Sequence, residues 1–175
     1  MKATGYSLWL MPDKDTDAYR FMQSLIEDLA RIAGGPVFAP HVTLLGGMEG
    51  PAEEMLAKTK KLAGQVSPFD ISLGKSGTQR VYFRGFFAEV RQDAAVMAAG
   101  AEARRVFSMP GDYFPHESLS YWDYSEEVLA KLQKATANTD FSRGNFTAHS
   151  VHLYRTEGVV AEWEFLKEFS FLDAH

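Results

Sequence analysis

The chain has 175 residues, 46% of them hydrophobic, no cysteine and a formal charge of -5. That length suffices for one well-filled core or for two lobes sharing one, and the composition excludes disordered and fibrous classes. The acidic balance argues against broad binding of polymeric nucleic acid, which draws on many Lys and Arg contacts to phosphate, and the missing thiols exclude disulfides, thiolate metal sites and a Cys nucleophile.

The stretch from Met1 to Pro12 holds one Lys and a short apolar run, too brief for the apolar core of a signal peptide, and no apolar segment is long enough to span a membrane. A cytoplasmic protein without membrane contact is expected, and a monomer. Tyr6 to Met11 reads as a strand ended by Pro12 and Asp13. Residues 16 to 33 place Tyr19, Met22, Leu25, Ile26, Leu29 and Ile32 on one helical stripe, with Asp15 or Thr16 to cap its start and Gly34-Gly35 to end it. A strand from Val37 to Leu45 follows, closed by Gly46-Gly47, then a helix starting near Pro51 and a short strand from Phe69 to Leu73. The second half repeats this order. Val81 to Arg91 reads as a strand, Asp93 to Phe107 as an Ala-rich helix, and Phe114 to Trp122 as a strand. Ser125 opens a helix whose apolar stripe is Val128, Leu129 and Leu132, and Phe146 to Tyr154 and Val159 to Phe171 read as closing strands. The pattern predicts an internally duplicated α+β fold, one bilobal domain over residues 1 to 175.

The duplication shows at residue level. Phe38-Ala39-Pro40-His41-Val42-Thr43-Leu44 in the first half answers Phe114-Pro115-His116-Glu117-Ser118-Leu119 in the second. On strands, residues at i and i+2 share a face, so each copy points an imidazole and a hydroxyl the same way. Proline lacks an amide donor and sits best where a strand begins, so each His should emerge at a strand entry that can line a cleft. Two such pairs facing each other can hold a phosphate. Two imidazoles can also take opposite protonation states near neutrality, which a reaction needing one base and one acid requires.

These paired His-x-Ser/Thr motifs resemble those of the 2H phosphoesterase superfamily. The resemblance covers nearly the whole chain and is closer to its plant and fungal cyclic phosphodiesterase branch, on Tyr6-Ser7-Leu8-Trp9, Pro40-His41-Val42-Thr43, His116 through Tyr121, and Glu162-Trp163. It implies a LigT-like fold of two lobes with a central cleft between two mainly antiparallel sheets. It also implies hydrolysis of a nucleoside 2',3'-cyclic phosphate or of ADP-ribose 1'',2''-cyclic phosphate without a metal or other cofactor. In that scheme His116 activates water, His41 protonates the 3' oxygen to leave a 2'-phosphate, and Thr43 and Ser118 donate to phosphoryl oxygens. Trp9 and Tyr121 match aromatic positions lining the site in that branch. Glu117 departs from the pattern, standing where an apolar residue is usual; it is tolerated if the strand alternates and turns it from the cleft.

Further candidates are weaker in pattern. Tyr82 and Arg84 are expected on one strand face, with Arg84 supplying a cation to the substrate, and the polar run Lys75 to Arg80 reads as a loop able to close over phosphate. His149 and His152 suit a metal poorly, since residues three apart on a strand point to opposite faces. Asp123, Glu126 and Glu127 fit helix-start chemistry, and His175 is terminal. Two rivals stand beside the small-molecule hydrolase: an enzyme acting on RNA 3' ends, and a module that binds nucleotides or RNA ends without turnover.

Overall fold

The computed structural model describes residues 3–121 and 124–172. β1 (Tyr6–Leu10) pairs antiparallel with β2 (Val42–Met48) on one side and β8 (Ser150–Arg155) on the other, which leaves Leu8 and Leu10 with no exposed surface. The intervening α1 (Asp17–Ala33) begins at Thr16, whose Oγ1 accepts the Tyr19 amide at 3.2 Å, and ends at Gly34 in the left-handed region. It buries Met22, Ile26 and Leu29, while Ile32 falls at the rim of the stripe and is 37% exposed. α2 (Ala52–Ala63), α3 (Ala94–Phe107) and α4 (Glu126–Thr136) follow the expected spans, with the Ser125 hydroxyl accepting the Val128 amide at the start of α4.

Seven strands form the main sheet in the order β4-β5-β6-β2-β1-β8-β9, with β4 (Leu73–Gly77), β5 (Phe86–Val90), β6 (His116–Ser120) and β9 (Glu164–Ser170) completing the set. The expected pair of sheets is visible as β4-β5-β6 and β2-β1-β8-β9, joined where β2 meets β6 by one residue pair, Val42 with Glu117. Two further strands, β3 (Phe69–Ile71) and β7 (Phe146–Ala148), pair with each other apart from the main sheet. The halves are also interlocked, because α1 packs on β6 and α3 packs on β2, each helix covering the motif strand of the other half. Buried residues from both halves form one cluster, and no helix among the described residues is long and apolar enough to cross a membrane.

Several boundaries differ from the sequence reading. The first motif strand starts at Val42 rather than Val37, since Pro40 has no amide to offer a ladder, and it runs through Gly46 and Gly47 to Met48 instead of closing there. Gly47 permits this by taking φ of 72°, and the β1 pairing shifts register between Tyr6 and Ser7, opposite this segment. The expected strand from Val81 begins as a short 3-10 turn, Tyr82–Arg84, so Tyr82 and Arg84 do not share a strand face. The run from Lys75 is partly β4 rather than a free loop, and the closing segments split into β7 with β8 and into a 3-10 turn, Val160–Glu162, with β9. Trp122, Asp123 and His175 lie outside the described residues.

Glu117 does turn away from the cleft side of β6, but into the core rather than toward solvent. It is 0% exposed, and neither carboxylate oxygen has a hydrogen-bond partner. Burial pushes its pKa up to about 8, against a weaker pull from the nearby His41 backbone amide. The folded chain therefore keeps this proton while the unfolded chain releases it above the ordinary value of 4.5, so the contribution to stability is full below 4.5 and is lost as pH rises toward 8. Glu117→Gln is expected to flatten the decline in stability between pH 5 and pH 8, by on the order of a few kcal/mol at the upper end. Urea titrations of both proteins across that range check it, and parallel pH slopes would refute it.

Candidate active site

The residue before a proline is confined to extended backbone, and in both motifs that residue turns its carbonyl to the imidazole two positions on. His41 Nδ1 lies 2.7 Å from the Ala39 carbonyl oxygen, and His116 Nδ1 lies 2.9 Å from that of Phe114. In each case Nδ1–H donates and Nε2 is left with its lone pair. The same local device thus fixes the same tautomer in both halves.

Both imidazoles line one cavity of about 520 Å³, together with Thr43, Ser118, Trp9, Tyr121 and Arg84. His41 is the more enclosed. Its ring stacks on Trp9 at 3.7 Å between centroids, Trp9 stacks in turn on Tyr154 at 3.8 Å, and the Tyr121 hydroxyl donates to His41 Nε2 over 3.2 Å. Phe38, the aromatic residue before the first motif, stacks on Tyr121 at 4.0 Å and so holds that hydroxyl in place. On the other side, the Ser118 hydroxyl donates to the Phe83 carbonyl at 2.9 Å, and Phe114 stacks on His116 at 5.5 Å.

Burial sets the electrostatics. It brings His41 down to about 4, opposed by the Ala39 carbonyl and aided by the charge His116 would carry. His116 is lowered as well, first by burial and then by the Arg84 guanidinium, while the carbonyls of Phe114 and Phe83 oppose the shift. Both rings therefore favour the neutral form in this surrounding, His41 the more strongly.

The remaining sequence candidates fall into place unevenly. Tyr82 does not line the cavity and packs edge-on against Phe83, with Tyr121 6.3 Å away. None of Lys75 to Arg80 lines it either, and Arg80 is exposed and paired with Glu126. His152 contacts Ser150, whose hydroxyl donates to Glu168, and among the described residues no group of three or more His, Asp or Glu could hold a metal. Sequence reasoning gave no role to Phe83 and Tyr113, which adjoin named candidates, nor to Arg104 and the Ser7–Thr156 hydroxyl pair at 2.9 Å, in which Arg104 and Thr156 come from elements distant from the motifs. Trp163 also lines it, with its indole N–H buried and unpaired. Its position beside Glu162 was a sequence signal, but only for resemblance. A larger groove of about 690 Å³, running along α1 from Asp17 to Asp28, holds no histidine.

The fold is that of the LigT-like phosphoesterases. It matches Escherichia coli LigT in complex with 3'-AMP at a TM-score of 0.61 and 17% identity, covering 97% of this chain and 98% of that one. It also matches Kluyveromyces marxianus Usb1 at 0.50 and 13%, covering 92% and 96%. Residues 3–171 match the family described as cyclic phosphodiesterase-like protein, and the chain belongs to that family. A 2',3'-cyclic-nucleotide 3'-phosphodiesterase of Kluyveromyces lactis is 25% identical across 94% of this chain and 97% of its own length. The protein is a phosphodiesterase of the 2H phosphoesterase superfamily.

Titration of the imidazole resonances by NMR checks the electrostatics. His41 is expected to remain the neutral Nδ1–H tautomer until the pH approaches about 4, and His116 to titrate at a higher pH that is still below 6.5. A normal value for His41 would show that the ring is not held as described.

Proposed function

We propose that the protein hydrolyses a nucleoside 2',3'-cyclic phosphate, or the chemically equivalent ring of ADP-ribose 1'',2''-cyclic phosphate, through His41 and His116 and without a metal. The observation that carries this reading is the repeated Nδ1 anchor, which leaves two imidazole Nε2 atoms and the Thr43 and Ser118 hydroxyls on a single cavity.

His116 accepts a proton from water as its oxygen attacks phosphorus, and the 3' oxygen departs with a proton from His41 Nε2, from which the Tyr121 hydroxyl turns once that nitrogen is protonated, giving the 2'-phosphate. Thr43 and Ser118 donate to the non-bridging oxygens, the Ser118 hydroxyl turning from the Phe83 carbonyl to do so. Trp9 and Tyr121 present ring surface to the nucleoside, and Arg84 adds positive charge beside His116. The anionic phosphate favours the imidazolium form, and the Trp9 face lying flat on His41 favours it further, which together offset the burial that lowers this acid. The 3' end of a short RNA bearing the same cyclic phosphate offers the same ring, and the expected cytoplasmic location remains part of the proposal.

Purified protein in EDTA is expected to convert 2',3'-cyclic AMP to the 2'-phosphate. His41→Ala and His116→Ala should each lose about 10²–10⁴-fold in kcat, and Thr43→Ala and Ser118→Ala about 10²-fold. Because one ring must be neutral and the other protonated, and both are lowered in the protein, kcat/KM should be bell-shaped with its maximum below pH 6.5. Absence of turnover across pH 5 to 8, or turnover only with added metal, would defeat the mechanism.

A further inference from the structure

The two walls of the cavity differ in chemistry. Beside His41 the lining is aromatic, with Trp9, Tyr121 and Trp163. Toward His116 it carries charge, with Arg84 and Arg104 against the single carboxylate residue Asp112, in a chain whose net charge is -5. Among the described residues Arg20, Arg31, Arg80, Arg91, Arg105 and Arg155 are each paired with a carboxylate. Arg84, Arg104 and Arg143 form no such ion pair there, and of these three only Arg84 and Arg104 line this cavity, where Asp112 is the carboxylate residue at the lining.

Their positions are fixed by the strap leading into β6. The Arg84 guanidinium lies 5.9 Å from the Phe114 ring centre, and Phe114 itself stacks on His116. One residue earlier, Tyr113 carries the Arg104 guanidinium at 5.2 Å. The Tyr113 ring is seated against Gly100 of α3, where a Cβ would come within 2.2 Å of it, and its hydroxyl is buried without a partner. Arg104 donates to the carbonyls of Gly100 and Asp112 at 3.3 and 2.9 Å, which orients the fork but neutralises none of its charge and leaves further N–H groups for an anion.

The reacting phosphate already has two imidazoles and two hydroxyls. A nucleoside whose 2' and 3' oxygens are held there and whose base lies on the aromatic wall has one remaining branch, the 5' oxygen, to direct at the wall that bears the arginines. We infer that Arg104, with Arg84 on the same cavity lining, forms a second phosphate subsite, so that the ligand is a nucleotide carrying a further phosphate on its 5' side. This rests on the reaction proposed at His41 and His116.

Calorimetric binding of adenosine 2'-phosphate and adenosine 2',5'-bisphosphate tests it without requiring turnover. The bisphosphate should bind about tenfold more tightly to the parent protein. Arg104→Met should remove most of that ratio, Arg104→Lys should keep part of it, and Arg31→Met, a surface charge control, should keep all of it. Should Arg104→Met fail to fold, the parent ratio and its reduction in Arg84→Met decide the matter. Equal affinities in the parent, or a ratio unmoved in a folded Arg104→Met, would overturn the subsite. A bisphosphate preference without hydrolysis of 2',3'-cyclic AMP removes the proposed reaction and keeps the subsite, whereas hydrolysis without the preference does the reverse. Extending the comparison to a dinucleotide with a terminal 2'-phosphate tells a phosphodiester at the subsite from a terminal phosphate.

Discussion

The separation of the two half-sites is set at one place, the meeting of β2 and β6 through Val42 and Glu117. Each of these residues directly follows a motif histidine, so the backbone pair that joins the half-sheets also fixes how far apart His41 and His116 begin. A longer ladder would draw the strands together beyond that point. A shared core under both strands, with α1 on β6 and α3 on β2, replaces the missing hydrogen bonds with apolar burial. The cleft exists because pairing stops early while packing continues.

A buried, unpartnered carboxyl at that junction is costly, and it is kept tolerable by remaining protonated. The same enclosure acts on the imidazoles in the opposite charge sense, lowering both. Burial therefore drives the groups around the junction toward neutrality, whichever charge they would carry. In the proposed reaction, a phosphate between the histidines would supply the charge that this environment withholds and would couple ligand binding to protonation.

Each anchor in the site is a consequence of proline. Pro40 and Pro115 force the residue before them into extended backbone, and the carbonyl so placed receives Nδ1–H of the following histidine. The halves differ in what surrounds this common device. Trp9, Tyr154 and Tyr121 enclose His41, while Phe114 and the nearby arginine border His116. Duplication supplied two equal histidines, and the unlike neighbours make them chemically unequal.

The order of elements, the helix caps at Thr16 and Ser125, and the pairing of each histidine with a hydroxyl were all legible in the chain, because capping, periodicity and i, i+2 geometry are local. Local pattern misplaced Tyr82 and Arg84, whose aromatic and β-favouring surroundings mask a 3-10 turn, and it ended β2 at Gly46-Gly47, where a positive φ at Gly47 lets pairing continue. It could turn Glu117 from the cleft but could not say whether core or solvent lay behind it. That depended on α1 crossing to cover β6 from the other half. Likewise, Arg104 and Trp163 reach the cavity only through the strap and the final turn, whose positions are set by long-range packing. The chemical groups and their local orientation are encoded by neighbours along the chain, whereas their surroundings come from the packed fold, because burial and charge depend on residues remote in sequence.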